Sequence, residues 1–178
     1  MPTGDLEVWP DAAAVAERVA QRLLQARLEA PQRPLGLATG RTMEPVYGAL
    51  LERINALPSG RRQALLNAWQ SFNLDEYVGL GPGDEASFAA AMRHQLGDPL
   101  GLGPAQLQLP DGLAGDPQAE ARRYTALVQQ AGGLGLQLLG LGLNGHVGFN
   151  EPPCGPETVC RCVDLSDTTR SQNAASRR

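Results

Sequence analysis

From Ala12 to Leu24 the apolar positions Ala12, Val15, Ala16, Val19, Leu23 and Leu24 recur at the spacing of one helix face, and Asp11 supplies an N-cap acceptor just ahead of them. Before this helix, Leu6-Glu7-Val8-Trp9 alternates and predicts a short strand. After Pro31 the unbroken run Pro34-Leu35-Gly36-Leu37-Ala38 predicts a buried strand. It ends at Thr39-Gly40-Arg41-Thr42, ahead of a helix that carries Val46, Tyr47, Leu50, Leu51 and Ile54. Pro45 suits the first turn of that helix, where its missing N–H costs little. Leu57-Pro58-Ser59-Gly60 reads as a linker, and residues 68–74 as a third strand that delivers Asp75-Glu76 at its carboxyl end. Glycines between residues 79 and 83 then break the chain. Residues 84–95 read as a helix through Phe88, Ala91, Met92 and Gln95, stopped by Gly97-Asp98-Pro99. Asp116-Pro117 opens another helix with a cap followed by a residue that has no donor to waste, and Gly132-Gly133 closes it. Residues 134–141 are nearly all apolar, the pattern of a central parallel strand buried on both faces. Residues 159–165 suggest one more strand, followed by a helix begun at Asp167 or Thr168.

Strand and helix alternate along the whole chain, which predicts an α/β layered, Rossmann-like fold with a mostly parallel sheet flanked by helices and right-handed crossovers. With 178 residues, 42% of them hydrophobic, there is material for one sizeable core, so residues 1–178 are expected to form a single domain. Ligands in such folds sit beyond the carboxyl ends of the strands, and that rule selects residues 39–42, 75–77 and 142–151 as the lining of one crevice.

Composition removes several chemistries. All 15 basic residues are arginine, so no lysine amine is present for a Schiff base, for pyridoxal phosphate attachment or for a Walker A phosphate loop. The formal net charge is −4 and the arginines are scattered until Arg177-Arg178, which gives no nucleic-acid footprint. The longest apolar run, residues 134–143, is broken by glycines and reaches about half of the ~20 residues of a membrane-spanning helix, so no membrane partner is expected. The opening Met1-Pro2-Thr3-Gly4-Asp5 lacks the basic start and apolar run of a secretory signal, which points to the cytoplasm. Cys154, Cys160 and Cys162 fit neither zinc-knuckle nor disulfide-framework spacing and are expected as reduced thiols, with no metal site.

Three segments carry candidate chemistry. Thr39-Gly40-Arg41-Thr42 lies between a strand and a helix N-terminus. Backbone N–H groups and the dipole there suit a phosphate, and an ordinary connection with Thr42 as helix cap is the competing account. Asp75 and Glu76 are adjacent, so on a continuing strand they point to opposite faces and only one meets the crevice. A carboxylate at such an exit abstracts a carbon-bound proton if desolvation raises its pKa; a solvated loop acid is the plainer reading. In Gly142-Leu143-Asn144-Gly145-His146-Val147-Gly148-Phe149-Asn150-Glu151-Pro152 the glycines allow a sharp turn after a buried strand, placing one of only two histidines at the crevice. Glu151 is near enough in sequence to accept the second imidazole N–H, and Asn144 offers the same orienting service without charge. His94, on a presumed helix beside Met92 and Gln95, reads as a partly exposed structural residue.

The stretch Ser71-Phe72-Asn73-Leu74-Asp75-Glu76-Tyr77-Val78-Gly79-Leu80, taken with residues 140–152, resembles the glucosamine-6-phosphate deaminase (isomerase) family, related to the 6-phosphogluconolactonases. Thr39, Gly40, Arg41 and Thr42 look like that family's phosphate loop, with Gly142 and Gly145 completing the substrate-binding backbone. The resemblance implies conversion of glucosamine 6-phosphate and water to fructose 6-phosphate and ammonia, a phosphorylated amino sugar as partner, and no metal or organic cofactor. It assigns Asp75 as the C2/C1 proton-transfer base, His146 as the residue that opens the sugar ring, and Glu151 as its orienting partner. Asn144 stands at a position where the family carries aspartate or asparagine. It also implies that the last strands are missing. Family members continue with another α/β portion and a phosphate-holding lysine, and Thr169-Arg170-Ser171-Gln172-Asn173 resembles the start of the following helix, so a C-terminally truncated chain is expected. An exposed sheet edge leaves a homo-oligomer open. A lactone hydrolase of the related branch and a non-catalytic sugar-phosphate-binding remnant are the alternatives.

Overall fold

The structure is a computed structural model that describes residues 5–155 and 157–166; the helix expected from Asp167 or Thr168, the stretch 169–173 and Arg177 lie outside the described residues. In chain order the elements are α1 (Ala12–Glu29), β1 (Leu35–Leu37), α2 (Glu44–Asn55), α3 (Ser59–Asn67), β2 (Ser71–Asn73), α4 (Phe88–Met92), α5 (Asp98–Leu100), β3 (Leu107–Gln108), α6 (Pro117–Gln130) and β4 (Leu136–Gln137). The wider turns of Arg93–Gly97 join α4 to α5. Four parallel strands lie in the order β3-β2-β1-β4, with Leu37 opposite Asn73 and Gly36 opposite Gln137. The chain therefore builds outward from β1 through β2 to β3, then returns to the other side of β1 to lay down β4. This reversal is the switch point at which an open α/β sheet forms its crevice.

The core lies on the face of the sheet that carries Leu35 and Leu37. Leu23 of α1, Tyr47, Leu50 and Ile54 of α2, and Met92 and Leu96 are buried against it. Fully burying such side chains contributes roughly 1.5–3 kcal/mol each, the usual scale for Leu, Ile and Met. The Asp11 carboxylate caps α1 through the Ala14 amide at 2.8 Å. At the other end of the helix, fully buried Arg27 donates to the carbonyls of Arg33 and Ala68 and lies over the Trp69 ring, tying α1 to the entrances of β1 and β2. Gly36 faces the opposite side, where the Gln137 side chain crosses it so closely that a Cβ would sit 1.9 Å from Oε1.

Several expected elements are redrawn. Residues 6–9 form no strand; Leu6 and Val8 are exposed, and the segment is held instead by Glu7, which pairs with Arg18 at 2.6 Å and Arg22 at 2.8 Å. Ser59-Gly60, expected in a linker, opens α3 directly after Pro58. The helix expected from residue 84 begins at Phe88, because Ser87 rather than Asp84 caps it through the Ala90 amide at 3.0 Å. It also runs through Gly97-Asp98-Pro99, since Pro99 falls in the first turn of α5, and it ends at the left-handed Gly101. β3 has no counterpart among the expected strands. Residues 134–141 yield only the two-residue β4, at the edge of the described sheet rather than its centre, and Leu136 is 36% and Leu139 47% exposed. Residues 159–165 form no strand among the described residues, with a bend at Cys160. No described helix is long and apolar enough to cross a membrane, and Cys154, Cys160 and Cys162 are free thiols.

Candidate functional site

β2 ends at Asn73, and the Leu74 amide still bonds to the Leu37 carbonyl at 2.9 Å, so Asp75 leaves the sheet at a fixed point. Asp75 and Glu76 do diverge. The Glu76 carboxylate accepts from the amides of Tyr77 at 2.8 Å, Phe88 at 3.0 Å and Ala89 at 2.8 Å, which occupies it at the start of α4. Asp75 instead meets the loop that follows β4: its carboxylate accepts a backbone hydrogen bond from Phe149. Burial first, and the neighbouring Glu76 charge second, push the Asp75 carboxyl up to about 7 against the smaller opposing effect of the Phe149 amide. A carboxyl poised near neutrality can both take and return a proton.

The histidine loop is built from its own residues. The Gly142 amide bonds to the His146 carbonyl at 2.8 Å, and the Gly145 amide to the Gly142 carbonyl at 2.9 Å, with Gly145 at φ +86. The imidazole lies against Gly142, where a Cβ would come within 2.2 Å of the ring. His146 Nδ1 stands 2.5 Å from Asn144 Oδ1, and Asn144 Nδ2 donates to Glu151 Oε2 at 2.7 Å. The carboxylate accepts only, so the amide nitrogen must face Glu151 and the amide oxygen must face the ring. Nδ1 therefore carries a hydrogen, and Nε2 remains for proton exchange. Asn144 thus links Glu151 to the ring, and Glu151 also accepts from the Ser166 hydroxyl at 2.8 Å.

Gly148 joins the two parts. At φ +59 it lies so close to β2's exit that a Cβ would be 2.5 Å from Leu74 Cδ2 and 2.7 Å from Asp75 Oδ2. Phe149, the next residue, stands 5.1 Å from the Tyr77 ring and 5.8 Å from Phe88, and Tyr77 and Phe88 are 4.8 Å apart. This aromatic cluster fastens the histidine loop to the Asp75 loop and to α4. Sequence reasoning missed Glu76 as a cap, Gly148 as a contact point and the cluster. The only local signal was Ser87 followed by a helical run.

Residues 39–42 follow β1, which lies between β2 and β4, and Met43 touches Gly140 of the histidine segment, with 3.2 Å to a Cβ built there. Gly40 has φ +128, and Gly40, Arg41 and Thr42 are exposed. The cap of α2 is Met43 rather than Thr42, with no side-chain bond to the first turn, so the helix keeps amide donors there for an anion. The Thr39 hydroxyl is buried without a partner among the described residues. Tyr47 clamps this corner by donating to the Ala38 carbonyl at 2.5 Å.

A cavity of about 700 Å³ runs from Asp75 and Phe149 along Tyr124 and Val128 of α6, beneath residues 158–165. Tyr124 fixes its floor, sharing its hydroxyl hydrogen between the carbonyls of Asn73 at 2.8 Å and Gln108 at 3.1 Å. His146, Asn144, Gly142, Gly145 and residues 39–42 are not among its walls. Of the expected crevice residues, this cavity takes in Asp75, Glu76, Tyr77, Phe149 and Asn150. His94 is half-exposed, 3.0 Å from Glu85, and takes no part.

The sequence pattern of the glucosamine-6-phosphate isomerases/6-phosphogluconolactonase family matches residues 10–149. Among curated proteins, the glucosamine-6-phosphate deaminase of Rhodopirellula baltica is 41% identical over 96% of this chain and 66% of its own length. That of Cutibacterium acnes is 38% identical over 94% of this chain and 62% of its own. This chain therefore spans slightly under two thirds of the length of those relatives. Among solved structures, a monomeric glucosamine-6-phosphate deaminase superposes with a TM-score of 0.83 at 34% identity, covering 93% of this chain and 66% of that one. The 6-phosphogluconolactonase of Thermotoga maritima shares the fold, with a TM-score of 0.59 at 21% identity over 77% of this chain and 58% of that one.

Proposed function

This chain belongs to the glucosamine-6-phosphate isomerase/6-phosphogluconolactonase family, and on that premise we propose that it converts glucosamine 6-phosphate and water to fructose 6-phosphate and ammonia in the cytoplasm. The observation that carries the reading is the joint between Asp75, raised to about 7, and the loop that holds His146 through Asn144 and Glu151. In this scheme the sugar phosphate rests on the amides of residues 39–42 and the start of α2. His146, with Nδ1 committed to Asn144, exchanges a proton at the ring oxygen through Nε2, and the pyranose opens. Asp75 then removes the proton from C2 and returns it to C1. The C2–H bond breaks, a C1–H bond forms, the C1 carbonyl becomes a hydroxyl by taking a proton equivalent to the one the amine gives up, and the amine-bearing C2 becomes an imine. Water adds to that imine, ammonia leaves and the ketose remains. No metal or organic cofactor enters these steps.

The deaminase reading is favoured over lactone hydrolysis because the relatives at 38–41% identity carry deaminase names, whereas the lactonase likeness rests on fold at 21% identity. Incubating the purified chain with glucosamine 6-phosphate is expected to yield ammonia and fructose 6-phosphate in equal amounts. Hydrolysis of 6-phosphogluconolactone without ammonia release overturns it, and binding of the amino sugar phosphate without turnover replaces it with a binding role.

A further inference from the structure

Glu76 is an acidic residue beside the site that the proposed chemistry leaves unused, yet three backbone amides bond to its carboxylate. Its two oxygens take the amides of Tyr77, Phe88 and Ala89, while Ser87 takes that of Ala90. The first turn of α4 is thereby closed by a residue twelve positions away from Phe88 in the chain. Phe88 is fixed in turn against Tyr77 and against Phe149, whose amide bonds to Asp75. The path from Glu76 to the Asp75 carboxyl thus runs through backbone hydrogen bonds at both ends and stacked rings between them.

We propose that Glu76 is a positioning residue for Asp75, acting through the start of α4 and the Phe88–Phe149 contact to hold the Phe149 amide on the Asp75 carboxylate. This deepens the reading of Asp75 as the proton-transfer base and rests on it. A second effect follows from proximity: the Glu76 charge opposes ionisation of Asp75 and keeps its proton-accepting range near neutrality. The charge and the brace act in opposite directions on Asp75, since the amide favours the carboxylate and the adjacent charge disfavours it.

Other groups around Asp75 are Tyr124 and Glu120 of α6, Asp111, and Cys160, Arg161 and Asp164 of the covering segment, with His146 on the facing loop. Two variants at Glu76 separate the effects. Glu76→Gln removes the charge and keeps one oxygen acceptor; Glu76→Ala removes both. Titrating the Asp75 carboxyl by carbon-13 NMR in the wild-type chain and both variants is the decisive measurement, because it needs no turnover. Glu76→Gln is expected to lower the Asp75 midpoint by about half a pH unit or more. In Glu76→Ala, hydrogen exchange at the Phe88, Ala89 and Phe149 amides is expected to rise together by roughly tenfold or more. A residue that merely capped α4 would loosen Phe88 and Ala89, leave Phe149 protected and give the two variants the same Asp75 midpoint, and that result overturns the proposal. Should Glu76→Ala fail to fold, Glu76→Gln carries the test: raised exchange at Phe88 and Ala89 with the Phe149 amide unchanged rejects the proposal. Absence of deaminase turnover in the wild-type chain counts against the proposed function and leaves this titration result standing on its own.

Discussion

The two halves of the candidate site are built in opposite ways. His146 is oriented by neighbours within a few residues: Asn144 at 2.5 Å, Gly142 under the ring, and Glu151 behind Asn144. Asp75 is placed by residues far along the chain, among them Phe149, the Glu76-bound start of α4, and Tyr124, which pins the end of β2. The histidine half is a local motif with few consequences for the fold, whereas the aspartate half is a product of the fold. A change in the first should damage chemistry and spare stability; a change in the second should touch both.

The largest effects test the pair itself. Asp75→Asn and His146→Gln are each expected to lower kcat by about 10²–10⁴, the usual worth of a positioned acid or base, measured as ammonia release from glucosamine 6-phosphate. Equal losses in single and double variants would show that the two act as a unit; multiplied losses would show that they serve separable steps. Next comes Asn144→Ala, which removes the acceptor that fixes Nδ1. A loss of about 10² in kcat is expected from misplacement of the ring, with a stability change within about 0.5 kcal/mol because the residue is exposed. Asn144→Asp keeps the acceptor for Nδ1 but gives up the donor to Glu151, and should fall between the two.

The same contrast explains what could be read from the sequence. Residues 142–151 announced themselves because their interactions are between near neighbours, and both Asn144 and His146 were identifiable there. Spacing alone does not tell that the Asn144 amide links Glu151 to the ring. α1, β1, α2 and α6 were legible because cap, periodicity and stop signals agree along each of them. β4 was misjudged because an apolar run reports burial capacity, not position, and Leu136 and Leu139 occupy an edge of the described sheet. The role of Glu76 was hidden for the reverse reason: its partners Phe88 and Ala89 are reached only after the loop folds back.

A smaller effect probes the joint. Gly148→Ala would place a Cβ 2.5 Å from Leu74 Cδ2 and 2.7 Å from Asp75 Oδ2, at a φ of +59 that suits glycine. Backbone strain and the forced shift of Leu74 should cost about 1–2 kcal/mol in denaturant unfolding. Because the displaced oxygen belongs to Asp75, activity should fall by about tenfold or more. Unchanged activity alongside lowered stability would mean that the joint supports the fold alone.

The smallest effect is the one that most directly separates the halves. An Asp75 carboxyl raised from 3.8 to about 7 binds its proton more tightly in the folded chain than in the unfolded one. Between those values the folded state holds more protons, so stability contributed by this group is fully present below the unfolded value and is lost as pH rises through the folded one. The charged carboxylate is thus a burden on the fold above neutrality, over the same range in which it becomes able to accept a proton. Asp75→Asn should therefore lower kcat as above yet stabilise the chain at about pH 8, by about 1–2 kcal/mol once partial exposure to the crevice is discounted, with the gain shrinking toward about pH 5. Urea melts of both proteins across that range measure it. A gain that persists unchanged at acid pH would show that the benefit comes from packing of the amide, and that Asp75 is not held in an environment that disfavours its charge.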